Sequence, residues 1–506
     1  MAKICLSLTA KTIARNLEIL EKYRKYADMV ELRVDCLAPN ERLYIRRFPE
    51  QANIPVILAI RRDTDGGFFT SGESARINLM AKGLAYADTD KRRNFAYLEI
   101  DKDLSVPSLE EAARTFGTRI IRSYYNIQGS EAALADRIHS IRHSEDEIVK
   151  VEINATSITD VLDLLRAGKE CGNQEKILIA KGHYGMCSRI LAKQFGSFLS
   201  YASALAEPDA LVSPGVMDIE ELSTLYRFRG INNATRFFGI TGHPLTTKDH
   251  LNFYNTLFRL EDMNALYVPF PADSLSACLE LARELHVEGL SVGVPYRQAV
   301  VPLLDSQSAE VKSIGACNNL LRRPQGWVGN NTEARSFSDS LLYFTGKSHL
   351  RRQRVTVIGN GGSAKAVIFE LHRLGAKVLV LNRAVYKARD LAAPYKFAWG
   401  GLDSQGIAMM SKYRDIIIQA THTEANGNNA DSLPAGLEMY RFRGREEVMD
   451  LTYRPEMTAF LKQAAEAGCR VQNGYDMLIR LGKYQYAQFT GKEFPEHLLA
   501  KVQYGT

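Results

Sequence analysis

An α/β protein, with an N-terminal (β/α)8 barrel ahead of a two-lobed α/β region carrying a Rossmann-like nucleotide lobe, is what the sequence predicts, on three observations. Eight short apolar runs recur at intervals of roughly 25 to 40 residues in the N-terminal part. A glycine turn lies between an apolar run and a helix-forming stretch from residue 354 onward. At 506 residues the chain also exceeds what one hydrophobic core usually organises.

The eight runs are ICLSL (4–8), MVELRVD (29–35), IPVILAI (54–60), FAYLEID (95–101), TRIIRSY (118–124), IVKVEIN (148–154), KILIA (176–180) and DALVS (209–213). Each interval leaves room for a covering helix and two loops, since parallel strands need a crossover of a dozen or more residues. The functional end of such a barrel is the C-terminal end of its strands. Glu31, Arg33, Arg61, Glu99, Asp101 and Lys150 lie in or just after these runs. Buried charges are costly unless paired or used, so the group marks either a polar interior layer or a site.

A break falls at 222–234, and the α/β pattern then resumes with strands expected at 236–241, 265–268, 289–294 and 315–322. Pro244, Pro269 and Pro295 sit near strand ends, where a missing N–H costs little. RVTVIGNGGSAKAVIFELHRLGAKVLVLNR (354–383) reads as strand, turn, helix, strand; further strands are expected at 415–420 and 446–452, with a closing helix at 477–489. Gly359, Gly361 and Gly362, with Ala366 on the helix, permit backbone approach to a pyrophosphate at a helix start. A merely structural turn is the alternative. The second strand ends in Asn382-Arg383 with no carboxylate for a ribose 2′-hydroxyl, and an arginine there suits a 2′-phosphate, favouring NADP over NAD.

Composition narrows the partners. With 64 Lys and Arg against 58 Asp and Glu, the net charge is +6, too small an excess to argue for nucleic acid and compatible with an anionic metabolite. No basic stripe interleaved with aromatics is present. The seven cysteines are widely spaced without a CxxC, so neither a disulfide scaffold nor a zinc site is expected, and no other metal. MAKICLSLTA lacks an apolar signal core and no apolar run approaches 18 residues, which suggests a cytoplasmic chain that does not enter a membrane.

ELRVD, Arg61 five residues ahead of Gly66-Gly67, the lysine of IVKVEINAT, and GHYGMCSRILAKQFGS make residues 1–222 resemble type I 3-dehydroquinate dehydratases. GITGHPL, NALYVPF, GLSVGVPYRQAVVPLLD, KSIGACNNL, GNNTE, GNGGSAKA, LNR and DLTYRP make residues 235–500 resemble shikimate dehydrogenases. The resemblance implies a barrel over 1–222, a substrate lobe over 235–340, an NADP lobe over 341–475 and a helical return over 476–500.

In the first half it assigns Lys150 as the amine that forms a Schiff base with a ketone, with Glu31, Arg33, Arg61 and Arg189 around the substrate and Arg189 on its carboxylate. Cationic neighbours are expected against the Lys150 amine. Tyr125 stands where the family has its acid/base histidine, and Val212 and Val216 where it has Ser and Gln.

In the second half Lys248 and His250 replace a serine pair that holds the substrate carboxylate, and are expected to act as cations. Arg297 and Glu333 fall on the family's catalytic lysine and aspartate, and their complementary charges predict a retained ion pair. Asn318, Thr332 and Tyr453 match substrate-side positions, whereas Leu481 replaces a substrate-binding glutamine. Arginine is a poor proton donor, so a water or Tyr254 is expected to stand in. Gly359, Gly361, Gly362, Asn382 and Arg383 are the NADP residues. The resemblance thus implies a bifunctional enzyme that dehydrates 3-dehydroquinate and reduces 3-dehydroshikimate with NADPH, its ligands small anionic cyclohexane or cyclohexene carboxylates. A substrate-shifted or impaired homologue, serving as scaffold or regulator, is the alternative.

Overall fold

The computed structural model describes residues 2–85, 88–126, 134–212, 214–245, 248–421, 433 and 436–502. The chain divides into two compact units, Met1–Leu245 with Phe258–Val287, and Thr246–Leu257 with Glu288–Thr506.

The first unit holds β1 (Lys3–Leu8), β2 (Met29–Arg33), β3 (Val56–Ala59), β4 (Tyr97–Asp101), β5 (Arg119–Asn126), β6 (Ile148–Asn154), β7 (Lys176–Lys181) and β8 (Leu199–Ala202). They form one parallel sheet in the order β7-β6-β5-β4-β3-β2-β1-β8. The ring is nearly closed: Lys176 bridges Ser197 ahead of β8, and Phe198 N donates to Lys176 O at 2.6 Å. Seven strands fall on the expected runs, and the eighth does not. It is LSYA at 199–202, buried throughout and paired with β1, rather than DALVS at 209–213. Closure requires the chain to lie against β1 directly after the short helix Met186–Ile190, which the apolar stretch FLSYA permits. Asp209 instead spends its carboxylate on Arg15 at 3.0 Å, and Val212 is 77% exposed; position 213 lies outside the described residues.

The two-residue period of the strands stacks the interior in layers. Cys5, Met29, Ile57, Tyr97, Ile121, Ile148, Ile177 and Leu199 belong to one buried apolar cluster. Two residues further along the same strand faces stand Ser7, Glu31, Glu99, Ser123 and Lys150, with Ala59, Ile179 and Tyr201 completing the ring, so apolar packing beneath supports a largely polar layer above. Helices cover the outside. One, Ile158–Glu170, starts at a reciprocal cap between Ser157 and Asp160. The unit also contains the parallel pair β9 (Arg236–Gly242) and β10 (Ala265–Pro271).

In the second unit, β11 (Val287–Val292) pairs antiparallel with β13 (Asn319–Arg323), which pairs with β14 (Gly326–Asn330), which in turn pairs with the two-residue β12 (Ser306–Gln307). A separate parallel sheet comprises β15 (Arg354–Ile358), β16 (Lys377–Leu381), β17 (Ala398–Gly400), β18 (Ile416–Gln419), β19 (Glu447–Asp450) and β20 (Arg470–Gln472). Its order, β17-β16-β15-β18-β19-β20, is that of the doubly wound dinucleotide fold. The order reverses between β15 and β18, so the crevice beyond their C-terminal ends opens at Gly359 and Ala420. The expected closing helix is Tyr475–Thr490. No helix among the described residues is long and apolar enough to cross a membrane.

Candidate functional site

Lys150, the third residue of β6, is 1% exposed. Its Nζ lies 3.1 and 2.9 Å from the two oxygens of Glu99 and 3.7 Å from Glu31 Oε1, and 4.4 Å from the centre of the Tyr201 ring. The charged groups against the amine are therefore carboxylates and not the cations expected. The reason is strand register: Glu31 and Glu99 occupy the same interior layer, while Arg61 lies beyond the end of β3. Ser7 Oγ donates to Glu31 at 2.9 Å.

Arg61 spans the next layer. Its guanidinium sits 4.2 Å from the centre of the Tyr125 ring and 3.4 Å from Glu152, which Lys181 also approaches at 3.1 Å. Burial alone would raise the Glu152 carboxyl, but Arg61, then Lys181 and Lys150, hold it far below the usual carboxylate range. Burial likewise opposes Glu99, whose carboxyl is nevertheless lowered by Lys150 and Arg61. The Tyr125 hydroxyl donates to Glu99, and burial pushes this phenol well above its ordinary pKa against the pull of Arg61. A base poised near pH 7 is thus lacking at this position.

Arg33 at the end of β2 is held by Asp35 through bonds of 2.9 and 2.7 Å. Arg189, on the short helix after β7, is 6% exposed and donates to Tyr201 O at 3.5 Å, while its buried Nε has no hydrogen-bond partner among the described residues. Burial, with Arg61 adding to it, lowers the Arg189 guanidinium below its ordinary value. An unsatisfied guanidinium N–H inside a barrel is a place for an anionic acceptor.

The second unit gathers a second group. Arg297 Nη1 lies 2.8 Å from Glu333 Oε1 and donates to Ser363 Oγ at 2.6 Å, while Ser363 Oγ donates to the same Glu333 oxygen at 2.6 Å. The ion pair expected from complementary charges is present. Asn318 and Thr332 bond each other, Asn318 Nδ2 donating to Thr332 Oγ1 at 2.9 Å. Tyr453 donates to Asp249 at 3.0 Å. Tyr254, expected as a stand-in proton donor, is fully buried and gives its hydroxyl to Gln485 at 2.9 Å. Lys248 is exposed. His250 is not the cation expected: burial, then the charge of Arg297, pushes its imidazole down to about 4. At pH 7 it is neutral and offers hydrogen bonds only.

That depression has a measurable consequence. Above its unfolded pKa of about 6.5 the imidazole is neutral in both states, and as pH falls toward 4 the unfolded chain takes up the proton first. Unfolding free energy should therefore drop by about 3 kcal/mol more in the parent than in His250→Gln between pH 6.5 and 4. Urea titrations across that range read the difference, and parallel curves for the two proteins would refute it.

At the nucleotide turn Gly359 has φ +127°, and a Cβ there would lie 2.7 Å from Ala420 O, so no other residue fits. Gly361 caps the helix Gly362–Arg373. Asn382 Nδ2 donates to Asn360 at 3.2 Å, and its Oδ1 accepts from Ala384 N at 3.0 Å. Arg383 is exposed, with no acidic side chain paired to it among the described residues.

Comparison with known proteins agrees in both halves. Residues 4–233 match the model of type I 3-dehydroquinase, residues 240–320 that of the shikimate dehydrogenase substrate binding domain, and residues 344–451 that of shikimate / quinate 5-dehydrogenase. The chain belongs to the type I dehydroquinase–shikimate dehydrogenase family of two-part proteins. A chloroplastic bifunctional 3-dehydroquinate dehydratase/shikimate dehydrogenase of Arabidopsis thaliana is 26% identical over 523 residues, covering 99% of this chain and 84% of the relative. A shikimate dehydrogenase (NADP(+)) of Carboxydothermus hydrogenoformans is 30% identical over 288 residues, covering 54% of this chain and 98% of the relative. A shikimate dehydrogenase (NADP(+)) of Pyrococcus furiosus is 30% identical over 273 residues, with 54% and 96% covered.

Several residues of both halves escaped the sequence. In the dehydroquinase half Glu99 is the direct partner of Lys150; it stood out only as one charged strand residue among several, and alternation with Asp101 would have placed it inside. Tyr201 was hidden because the eighth strand was misplaced. In the dehydrogenase half nothing marked Ser363 within GNGGSAKA. Gln485 lies one helical turn after Leu481, accepts from Tyr254 and Ser291 at 2.9 Å each, and donates to Asn318 O at 3.2 Å.

Proposed function

We propose that this chain dehydrates 3-dehydroquinate in the barrel, through a Schiff base on Lys150, and reduces 3-dehydroshikimate to shikimate with NADPH in the second half. The supporting observation is a buried amine bonded to Glu99 together with a buried Arg189 whose Nε is unsatisfied among the described residues and whose guanidinium feels Glu152, Arg61 and Glu31. Arg189 takes the substrate carboxylate as the anionic acceptor it lacks. Glu99 and Glu31 hold the Lys150 side chain in place at the barrel interior, where its amine adds to the ketone. Loss of water then gives an iminium, whose positive nitrogen acidifies the adjacent C–H. Removal of that proton and departure of the hydroxyl as water is the step for which Tyr125 is ill suited; hydrolysis of the remaining iminium takes up one water, releases the product ketone and returns the amine of Lys150.

In the dehydrogenase half, Glu333 Oε2 is buried without a hydrogen-bond partner among the described residues, which fits a substrate hydroxyl donor. Arg297 stabilises negative charge developing on the reduced oxygen, and a water molecule supplies the proton that completes the alcohol. The glycine turn and Arg383 fit an adenine dinucleotide phosphate, which when bound supplies the hydride. In this reading the barrel spans 1–222, the substrate lobe 235–340, the NADP lobe 341–475 and the return helix 476–500. A second reading, an impaired or substrate-shifted homologue acting on a quinate-like acid, is favoured by the raised Tyr125 phenol and by Leu481, which has no hydrogen-bonding group.

The whole chain supplied with 3-dehydroquinate and NADPH should consume the nucleotide, which requires both halves. NADPH should be preferred over NADH by about tenfold or more, and Arg383→Ala should erase most of that preference, as loss of a charge-assisted phosphate contact. Consumption of NADPH with 3-dehydroshikimate but not with 3-dehydroquinate would confine the activity to the second half. Equal use of both nucleotides by the parent would remove the assignment of NADP.

A further inference from the structure

Resting on the reductase reading, we propose that Ser363 is a positioning residue that couples occupancy of the nucleotide turn to the Arg297–Glu333 pair, making NADP and the cyclohexene acid bind cooperatively. Ser363 is the second residue of the helix Gly362–Arg373, directly after the glycine turn. Its hydroxyl closes a triangle, accepting from Arg297 Nη1 at 2.6 Å and donating to Glu333 Oε1 at 2.6 Å across an ion pair of 2.8 Å. No other hydroxyl among the described residues bonds both members of the pair.

Backbone packing strengthens the link. A Cβ placed on Gly362 would lie 3.0 Å from Arg297 Cβ, so the arginine stem rests against the turn itself. Glu333 is 4% exposed, and while Ser363 and Arg297 fix Oε1, Oε2 has no hydrogen-bond partner among the described residues. One carboxylate oxygen is thus anchored to the nucleotide side and the other remains for a donor. A pyrophosphate bound by the backbone N–H groups of the turn orders the residue that carries the Ser363 hydroxyl. That hydroxyl sets the rotation of the carboxylate, and hence the direction in which Oε2 accepts. Either ligand therefore lowers the ordering cost met by the other, and the effect must be reciprocal.

Calorimetric titration of the full chain with shikimate, with and without saturating NADP+, tests this in the parent, Ser363→Ala and Ser363→Thr. The parent should bind shikimate about tenfold more tightly with NADP+ present, a typical coupling factor. Ser363→Ala should reduce that factor below about twofold with an unchanged melting temperature, and Ser363→Thr, which keeps the hydroxyl, should retain most of it. Absence of coupling in a parent that binds both ligands overturns the proposal and leaves the reductase reading standing. Coupling that survives Ser363→Ala overturns it as well. Coupling lost equally in Ser363→Thr, or lost together with the melting temperature, assigns the effect to packing and also overturns it. If neither ligand binds the parent, the reductase reading falls and the coupling with it.

Discussion

Replacing Lys150 with alanine is expected to cut dehydration of 3-dehydroquinate by about 10³-fold or more, the scale on which removal of a covalent nucleophile is felt. Borohydride added to the parent with substrate should fix an adduct on the peptide carrying Lys150, and K150A should yield none. Among the described residues the site gives no second amine that could substitute. Lys181 lies on the neighbouring strand with its Nζ committed to Glu152 at 3.1 Å, and the nearby guanidiniums do not lose protons near neutrality. Removing Lys150 also strands Glu31 and Glu99 in the interior without their cation, so K150A should be checked for folding by circular dichroism. Lys150→Met, which keeps the length of the side chain, serves as the second variant. An adduct on another lysine, or dehydration surviving in K150M, would dismiss the Schiff base.

Tyr125→His should have the largest opposite effect, raising dehydration on the order of 10²-fold, the lower range of what a well-placed acid/base group contributes. In the parent the phenol is protonated and donates to Glu99, while Glu99 and Glu152 are themselves held as weak bases by Lys150, Arg61 and Lys181. None of these three groups has a proton affinity suited to abstracting a proton near pH 7. An imidazole beside Glu99 would supply one, and the carboxylate would orient it. The gain should appear in kcat with a pH dependence around the imidazole pKa, read from the rate profile between pH 5 and 9, roughly two units either side of neutrality. An unchanged rate would shift attention to Val212 and Val216. A parent already turning over rapidly with a flat profile would show that Tyr125 suffices.

The sequence disclosed most of the fold because parallel α/β architecture writes itself locally. Buried strands read as short apolar runs, crossovers fix their spacing, and seven of the eight barrel strands fall where those runs lie. The eighth failed because its location is set by closure onto β1 and β7 and not by any local pattern. Strands of two or three residues, such as β12, β17 and β20, are too short to carry a period and appear only once neighbours pair with them.

At the sites, the resemblance carried by the motifs was enough to single out Lys150, Arg189, Arg297, Glu333 and the glycine turn as the candidate positions. The complementary charges of Arg297 and Glu333 were legible because an ion pair needs only opposite charge and approach. Which groups touch which, and in what protonation state, was decided by tertiary structure alone. Lys150 faces carboxylates because strand register puts Glu31 and Glu99 in its layer; His250 is neutral because packing removes its water and brings Arg297 near; Ser363 joins the ion pair because its helix starts beside the stem of Arg297. A sequence fixes charge and hydrogen-bonding capacity residue by residue, whereas desolvation and distance are properties of neighbours brought together by folding, and these set the electrostatics of a site.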